Sequence, residues 1–166
     1  IGTNHTAISE FIKLIPFKPN FLKKPSLNYA VWYYNCCNFV TAPSQSVFKE
    51  MLAYGFNKPH EVISNPIDTN TFCPSGDKLE YKKKFSLSDN TIVYAGRLSL
   101  EKNIDVLIRA MAIAKKTISN INLAIAGSGK FEIELKQLVK EFGLENEVKF
   151  FGTLSKIDLA KLYQAS

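Results

Sequence analysis

The chain has 166 residues, 46% of them hydrophobic, and a formal net charge of +6 from 21 Lys and Arg against 15 Asp and Glu. That composition supplies core enough for one ordinary domain or two small ones, and it points to a soluble, globular chain. No apolar run approaches the roughly 18–20 residues that cross a bilayer, and no repeat or low-complexity tract is present, which sets aside a helical membrane span, a solenoid and a disordered tail.

The opening residues, Ile1 to His5, lack the charged-then-apolar order of a signal peptide and include no initiating Met. We expect a piece of a larger protein. Cys36, Cys37 and Cys73 are odd in number and not spaced as zinc ligands, so reduced, buried thiols of a cytoplasmic protein are expected. The dispersed lysines favour an anionic partner, whether phosphate, nucleic acid or an acidic membrane surface.

In chain order, His5 follows a short apolar start, where a neutral imidazole can donate to an anionic oxygen or serve the structure alone. From Ala7 to Lys24, apolar and aromatic residues interleave with four lysines. That mix suits an anionic membrane surface or a lipid-linked acceptor, and it suits equally a loop and helix folded on their own core. "NFVTAPS", 38–44, reads as a strand, with Ser44 placed to cap the helix "QSVFKEMLAYG" that Gly55 closes. "EVISNP" is a second strand stopped by Asn65-Pro66. The polar text that follows marks a connection, giving a first unit over 1–65, a linker over 66–89 and a second unit over 90–166.

Beyond the linker, strand and helix alternate three times. "TIVYAG" precedes a helix with Ile104, Leu107, Ile108 and Met111 on one face. "INLAIAG" precedes one with Phe131, Leu135, Leu138, Val139 and Phe142, and "EVKFFG" precedes "SKIDLAKLYQAS", capped at Ser155 with Ile157, Leu159, Leu162 and Tyr163 as its apolar positions. The expected class is α/β, built from Rossmann-like parallel β-α-β units with helices on both faces of the sheet.

Each of these strands ends in glycine, at Gly96, Gly127 and Gly152. In open parallel sheets, ligands bind beyond the carboxyl ends of the strands, where glycine permits close backbone approach. Arg97, one of only two arginines in the chain, follows Gly96 and offers a planar fork for phosphate oxygens, while Lys102 adds a compact charge five residues on. The alternatives are that Arg97 pairs with Glu101 and that Lys102 is merely solvated. "AGSGK", 126–130, fits neither a dinucleotide fingerprint nor a P-loop, and a tight strand-to-helix turn explains it as well as a ligand does.

"YAGRLSLEKNIDVLIRAM" with the text from Asn120 to Ser166 resembles the first half of the donor-binding domain of glycosyltransferase family 4, retaining enzymes of the two-Rossmann GT-B architecture. "NFVTAPSQSVFKEMLAYGF" and "EVISNPIDTNTF" are similar to the end of that family's acceptor domain and its link, although the family usually has glycine where Pro66 stands. The resemblance implies that Arg97 and Lys102 hold the diphosphate of a nucleotide sugar, that Gly96 and Gly127 belong to the same donor site, that backbone at Gly152 and Thr153 faces the base, and that His5 lies near the reacting centre.

It implies hexose transfer from a nucleotide-diphosphate sugar to a glycan or lipid acceptor with retained anomeric configuration. No divalent metal and no separate cofactor are expected, since Arg97 and Lys102 neutralise the diphosphate and the sequence has no Asp-x-Asp. The family's glutamate pair would follow the last helix, beyond Ser166, so this piece is not expected to catalyse transfer alone. A cytoplasmic location with peripheral contact to an anionic membrane is expected, and no nucleic-acid partner. Two other readings stay open: a non-enzymatic nucleotide- or phosphate-binding module, and a basic peripheral membrane-binding protein.

Overall fold

Alternation of short apolar strands with helices yields two compact units, Ile1–Ile67 and Asp68–Ser166. The computed structural model of the chain describes residues 1–5, 20–74 and 76–166. Most of the Ala7–Lys24 segment therefore lies outside the described residues.

In the first unit, strands β1 (Gly2–Thr3), β2 (Val40–Ala42) and β3 (His60–Val62) form a parallel sheet in the order β1-β2-β3. The middle strand is the buried one, with Val40 and Ala42 inside and flanked by helices α1 (Asn20–Asn35) and α2 (Gln45–Ala53) in sequence. Val31 of α1 and Phe48 and Met51 of α2 meet these strand residues and Phe56 in one cluster. Helix α2 ends as expected at Gly55, whose φ of +88° few other residues adopt, with the Gly55 and Phe56 amides donating to Leu52 and Met51 carbonyls. Ser44 sits at the N-cap, but its hydroxyl meets Ser46 Oγ at 2.9 Å and makes no cap bond to the backbone. Asn35 at the end of α1 clamps the turn after α2, donating to the Gly55 carbonyl and accepting from the Asn57 amide.

The second unit is a parallel sheet of β4 (Asn90–Ala95), β5 (Ile121–Ala126) and β6 (Val148–Gly152), in the order β4-β5-β6. Alternation along β5 divides its two faces. Leu123 and Ile125 join Ile104, Ile108 and Met111 of α4 (Ile104–Ala114) and Leu135, Leu138 and Val139 of α5 (Glu132–Glu141). Ala124 and Ala126 point the other way, onto Phe85 of α3 (Lys78–Phe85) and Leu162 of α6 (Lys156–Gln164). Large residues on one face and alanines on the other set different helix distances, and both faces are covered.

Helix α3 lies inside the 66–89 stretch read as a connection. Its Lys-rich text hides Tyr81 and Phe85, which pack against α6 and the alanine face, and Asp77 caps it by accepting from the Leu79 and Glu80 amides. The thiols also differ from expectation. Cys36 is exposed and Cys37 and Cys73 are half-buried, because they occupy the turn after α1 and the loop before α3 rather than a core strand or helix.

The loops leaving β4 and β5 interlock. The Leu98 amide donates to the Ser128 carbonyl and the Phe131 amide to the Leu98 carbonyl. A Cβ on Gly127 would stand 1.9 Å from the Gly96 carbonyl oxygen, and one on Gly129 2.2 Å from that of Leu98. The glycines of "AGSGK" are thus required by a neighbouring backbone.

Ile125→Ala should destabilise the second unit by roughly 2–5 kcal/mol in denaturant unfolding, whereas Ile113→Ala, at a position 69% exposed, should change it by less than about 0.5 kcal/mol. Gly127→Ala, which meets backbone and holds φ at +136°, should cost about 1–3 kcal/mol or more in the same measurement.

Candidate functional site

A strand-to-helix connection in a parallel sheet places the loop and the helix N-terminus at the carboxyl edge, so β4, β5 and β6 deliver three loops to one place. A cleft of about 360 Å³ opens there, within the ordinary range for small-ligand sites. Gly96 and Arg97 leave β4, Gly127 and Ser128 leave β5, and Thr153 and Leu154 leave β6 to line it. Leu159 and Tyr163 of α6 close one side, with Ala95 and Ala126 beneath. The cleft therefore has a polar rim of hydroxyls, backbone and one guanidinium, and an apolar wall.

Arg97 is held by its backbone and left loose at its head. The Tyr94 hydroxyl donates to the Arg97 carbonyl at 3.0 Å, while the side chain is 78% exposed. Its Nη2 stands 4.0 Å from Glu101 Oε1, at the outer limit of an ion pair. Glu101 is instead engaged by Ser99, whose Oγ donates to it at 2.6 Å. That hydrogen bond is the main reason the Glu101 carboxyl is held below its usual range, and the Arg97 and Lys102 charges contribute less. The guanidinium thus has a carboxylate near it whose shortest hydrogen bond goes to a hydroxyl instead.

Lys102 ends a short 3-10 turn, Leu100–Lys102, that leads into α4, and its amide donates to the Ser99 carbonyl at 3.0 Å. It is exposed and does not line the cleft. Gly152 lies one step below the rim: its carbonyl accepts from the Gly127 amide at 2.7 Å, and its φ of +63° turns the chain toward Thr153. The Ser128 and Thr153 hydroxyls meet at 3.1 Å, bridging the ends of β5 and β6. His5 is exposed in the first unit, two residues past the end of β1. The structure thus gathers Gly96, Arg97, Gly127 and Thr153 around one cleft, with Gly152 under it and Lys102 in the adjoining turn.

The sequence reading missed Leu159 and Tyr163 as cleft residues. The sequence marks both only as apolar positions of the helix; Tyr163 is 43% exposed, with its ring edge-on to Phe72 at 6.3 Å between centroids. Helix α6 is anchored from the same segment: Asp68 accepts from Lys156 Nζ at 2.7 Å and from Thr71, which drives its carboxyl far below the usual range. Gln164 donates to the Cys73 carbonyl at 2.7 Å. Ser155 caps α6 as expected, accepting from the Asp158 amide. Among the described residues, no three His, Cys, Asp or Glu side chains gather as metal ligands.

The sequence profile of glycosyl transferases group 1 matches residues 77–166, and that of glycosyltransferase family 4 matches residues 1–71. Mannosylfructose-phosphate synthase of Agrobacterium fabrum is 26% identical over 162 residues, covering 90% of this chain and 36% of that protein. Alpha-monoglucosyldiacylglycerol synthase of Streptococcus pneumoniae is 24% identical, over 100% of this chain and 39% of that protein. The crystal structure of Anabaena HepE in complex with UDP-glucose superposes with a TM-score of 0.73 at 26% identity, over 89% of this chain and 42% of that chain. This chain thus spans about two fifths of the length of these relatives. With more than half of its residues matched by one profile and its parallel α/β architecture shared with GT-B glycosyltransferases, the chain belongs to glycosyl transferases group 1.

Proposed function

We propose that the protein is a retaining glycosyltransferase that moves a hexose from a nucleotide-diphosphate sugar to a glycan or lipid acceptor, and that the cleft at the carboxyl ends of β4, β5 and β6 is its donor site. The single observation that carries this reading is Arg97 on the rim of that cleft, with an exposed guanidinium that meets Glu101 only at 4.0 Å. A bidentate fork beside glycine backbone and helix N-termini suits a diphosphate.

In this reading Arg97 and Lys102 supply the positive charge that meets the growing negative charge on the diphosphate as the glycosidic bond breaks through an oxocarbenium-like transition state. Lys102 reaches the phosphates from the mouth of the α4 turn rather than from the wall. Because side chains neutralise the leaving group, transfer proceeds without a divalent ion. Gly96 and Gly127 bring backbone close to the phosphates, and Gly152 and Thr153 face the base, next to the apolar wall of Leu159 and Tyr163. His5 of the first unit serves the reacting centre from the acceptor side. The unit over 1–65 is then the end of an acceptor domain and 90–166 the first half of the donor domain, with α3 of the connecting 66–89 stretch packed onto that donor half, in a cytoplasmic protein that contacts an anionic membrane surface. Support comes from the relatives: HepE has been crystallised with UDP-glucose, and the pneumococcal relative is named for a diacylglycerol product.

Titration of the protein with UDP, GDP and ADP tests the site. Arg97→Ala should weaken the best of the three by roughly 1.5–3 kcal/mol, the worth of a charge-assisted hydrogen bond. Lys136→Ala, at an exposed residue of α5 paired with Glu132, should leave affinity unchanged. Equal affinity of wild type and Arg97→Ala for all three nucleotides sinks the proposal.

A further inference from the structure

Helix α1, "NFLKKPSLNYAVWYYN", is apolar on two sides. Leu27, Ala30 and Val31 are buried, at the spacing that turns one helical face inward. Positions 21, 24, 25, 28, 29, 32 and 33 form a continuous exposed stripe along the helix. Four of them are aromatic: Phe21 is 78% exposed, Tyr29 67%, Trp32 61% and Tyr33 54%. The Tyr29 and Trp32 rings lie 5.7 Å apart, so the two form one aromatic patch within the stripe.

The chemistry of the stripe selects what covers it. A core face is ordinarily Leu, Ile and Val, whereas Tyr and Trp gather at interfaces, with protein or with lipid. Here it is Trp and Tyr with Asn28 and Lys24, side chains with an apolar body and a polar tip, which settle where hydrocarbon meets water. The sequence that carries it is charged with one sign. Between Glu10 and Glu50 the sequence has no Asp or Glu and five lysines, Lys13, Lys18, Lys23, Lys24 and Lys49. An acidic protein surface would match the charge but would leave four aromatics to be desolvated against polar groups. An anionic bilayer satisfies both, taking the rings into the headgroup boundary and the ammonium groups onto lipid phosphates.

We propose that α1 is an interfacial helix that docks the first unit on an anionic lipid bilayer through Phe21, Tyr29, Trp32 and Tyr33, with Lys24 at the phosphate level. This rests on, and localises, the membrane contact of the proposed function. It does not involve the nucleotide cleft of the second unit, so failure of one leaves the other standing.

Trp32 is the only tryptophan of the chain and reports on its own environment. The protein is mixed with vesicles of phosphatidylcholine alone or of phosphatidylcholine with phosphatidylserine, then followed by co-sedimentation and by tryptophan emission. Binding and a blue shift are expected with the anionic vesicles only, and both should decline as salt is raised. Tyr29→Ser combined with Tyr33→Ser, and separately Lys24→Glu, should each lower the partition coefficient about tenfold or more. Ile157→Ser, on the exposed side of α6, should leave it unchanged. Circular dichroism of the variants, whose altered residues face outward, checks that the helix is kept. The proposal is overturned by absence of binding to anionic vesicles, by binding that ignores the α1 variants, or by equal binding to neutral lipid. It is overturned equally if Trp32 emission is already blue-shifted and shielded from acrylamide before lipid is added, since protein then covers the face.

Discussion

The second unit depends on one close approach, backbone against backbone, between the loops that leave β4 and β5. Gly127 and Gly129 pass so near the carbonyls of Gly96 and Leu98 that no side chain fits at either position. Two hydrogen bonds, from Leu98 to Ser128 and from Phe131 to Leu98, lock the loops together. The contact brings the rim residues of two strands within one ligand's reach, and it buries Leu98 completely among the α4 and α5 side chains. A cleft floored in this way is set by covalent geometry and sterics rather than by flexible side chains, which is the rigidity a binding site needs.

Helix α6 ties this edge to the segment that precedes the sheet. Its outer positions are fastened by Lys156 to Asp68, by Asp158 to Lys84 at 2.6 Å and by Gln164 to the Cys73 carbonyl. Its inner positions, Leu159 and Tyr163, form the apolar wall of the cleft, with Phe72 against the Tyr163 ring. Exposed ion pairs of this kind are each worth little alone. Their joint effect is positional: several anchors along one nine-residue helix leave its inner face few ways to shift.

What the sequence made legible follows from how strongly each segment announces its period. Strands β4, β5 and β6 and helices α4 and α5 were readable because apolar runs and one-sided helices alternate there, and Ile104, Ile108, Met111, Leu135, Leu138 and Val139 are buried as the spacing predicts. Helix α1 was not, because Tyr29, Trp32 and Tyr33 on its outer face blur the contrast that a one-sided pattern needs. Helix α3 was hidden for the opposite reason: four lysines in eight residues read as solvent, although Tyr81 and Phe85 turn inward and Lys82 is itself buried against Asp89. Ile157, an apolar position of α6, is 62% exposed, because α6 offers α3 and the sheet a narrower stripe than its apolar content suggests. At the cleft, residues carrying charge or a glycine could be named from sequence, while Ser128, Leu159 and Tyr163 acquire their place only from the way three strand ends and one helix converge.

The electrostatics of the rim turn on the division of labour between Ser99 and Glu101. An arginine four residues before a glutamate at the start of a helical turn would ordinarily be read as an internal ion pair. Here Ser99 takes the glutamate oxygen at 2.6 Å and Arg97 is kept at 4.0 Å, so the carboxylate is stabilised mainly by a neutral hydroxyl. A guanidinium held near a carboxylate without being consumed by it keeps most of its donors available. The Arg97 backbone is already fixed by the Tyr94 hydroxyl at the end of β4, so only the side chain has to order on an incoming anion. Cost and readiness are linked in the proposed donor site: the exposed charge is tolerated because water solvates it, and that same exposure would let two oxygens of a diphosphate replace the water.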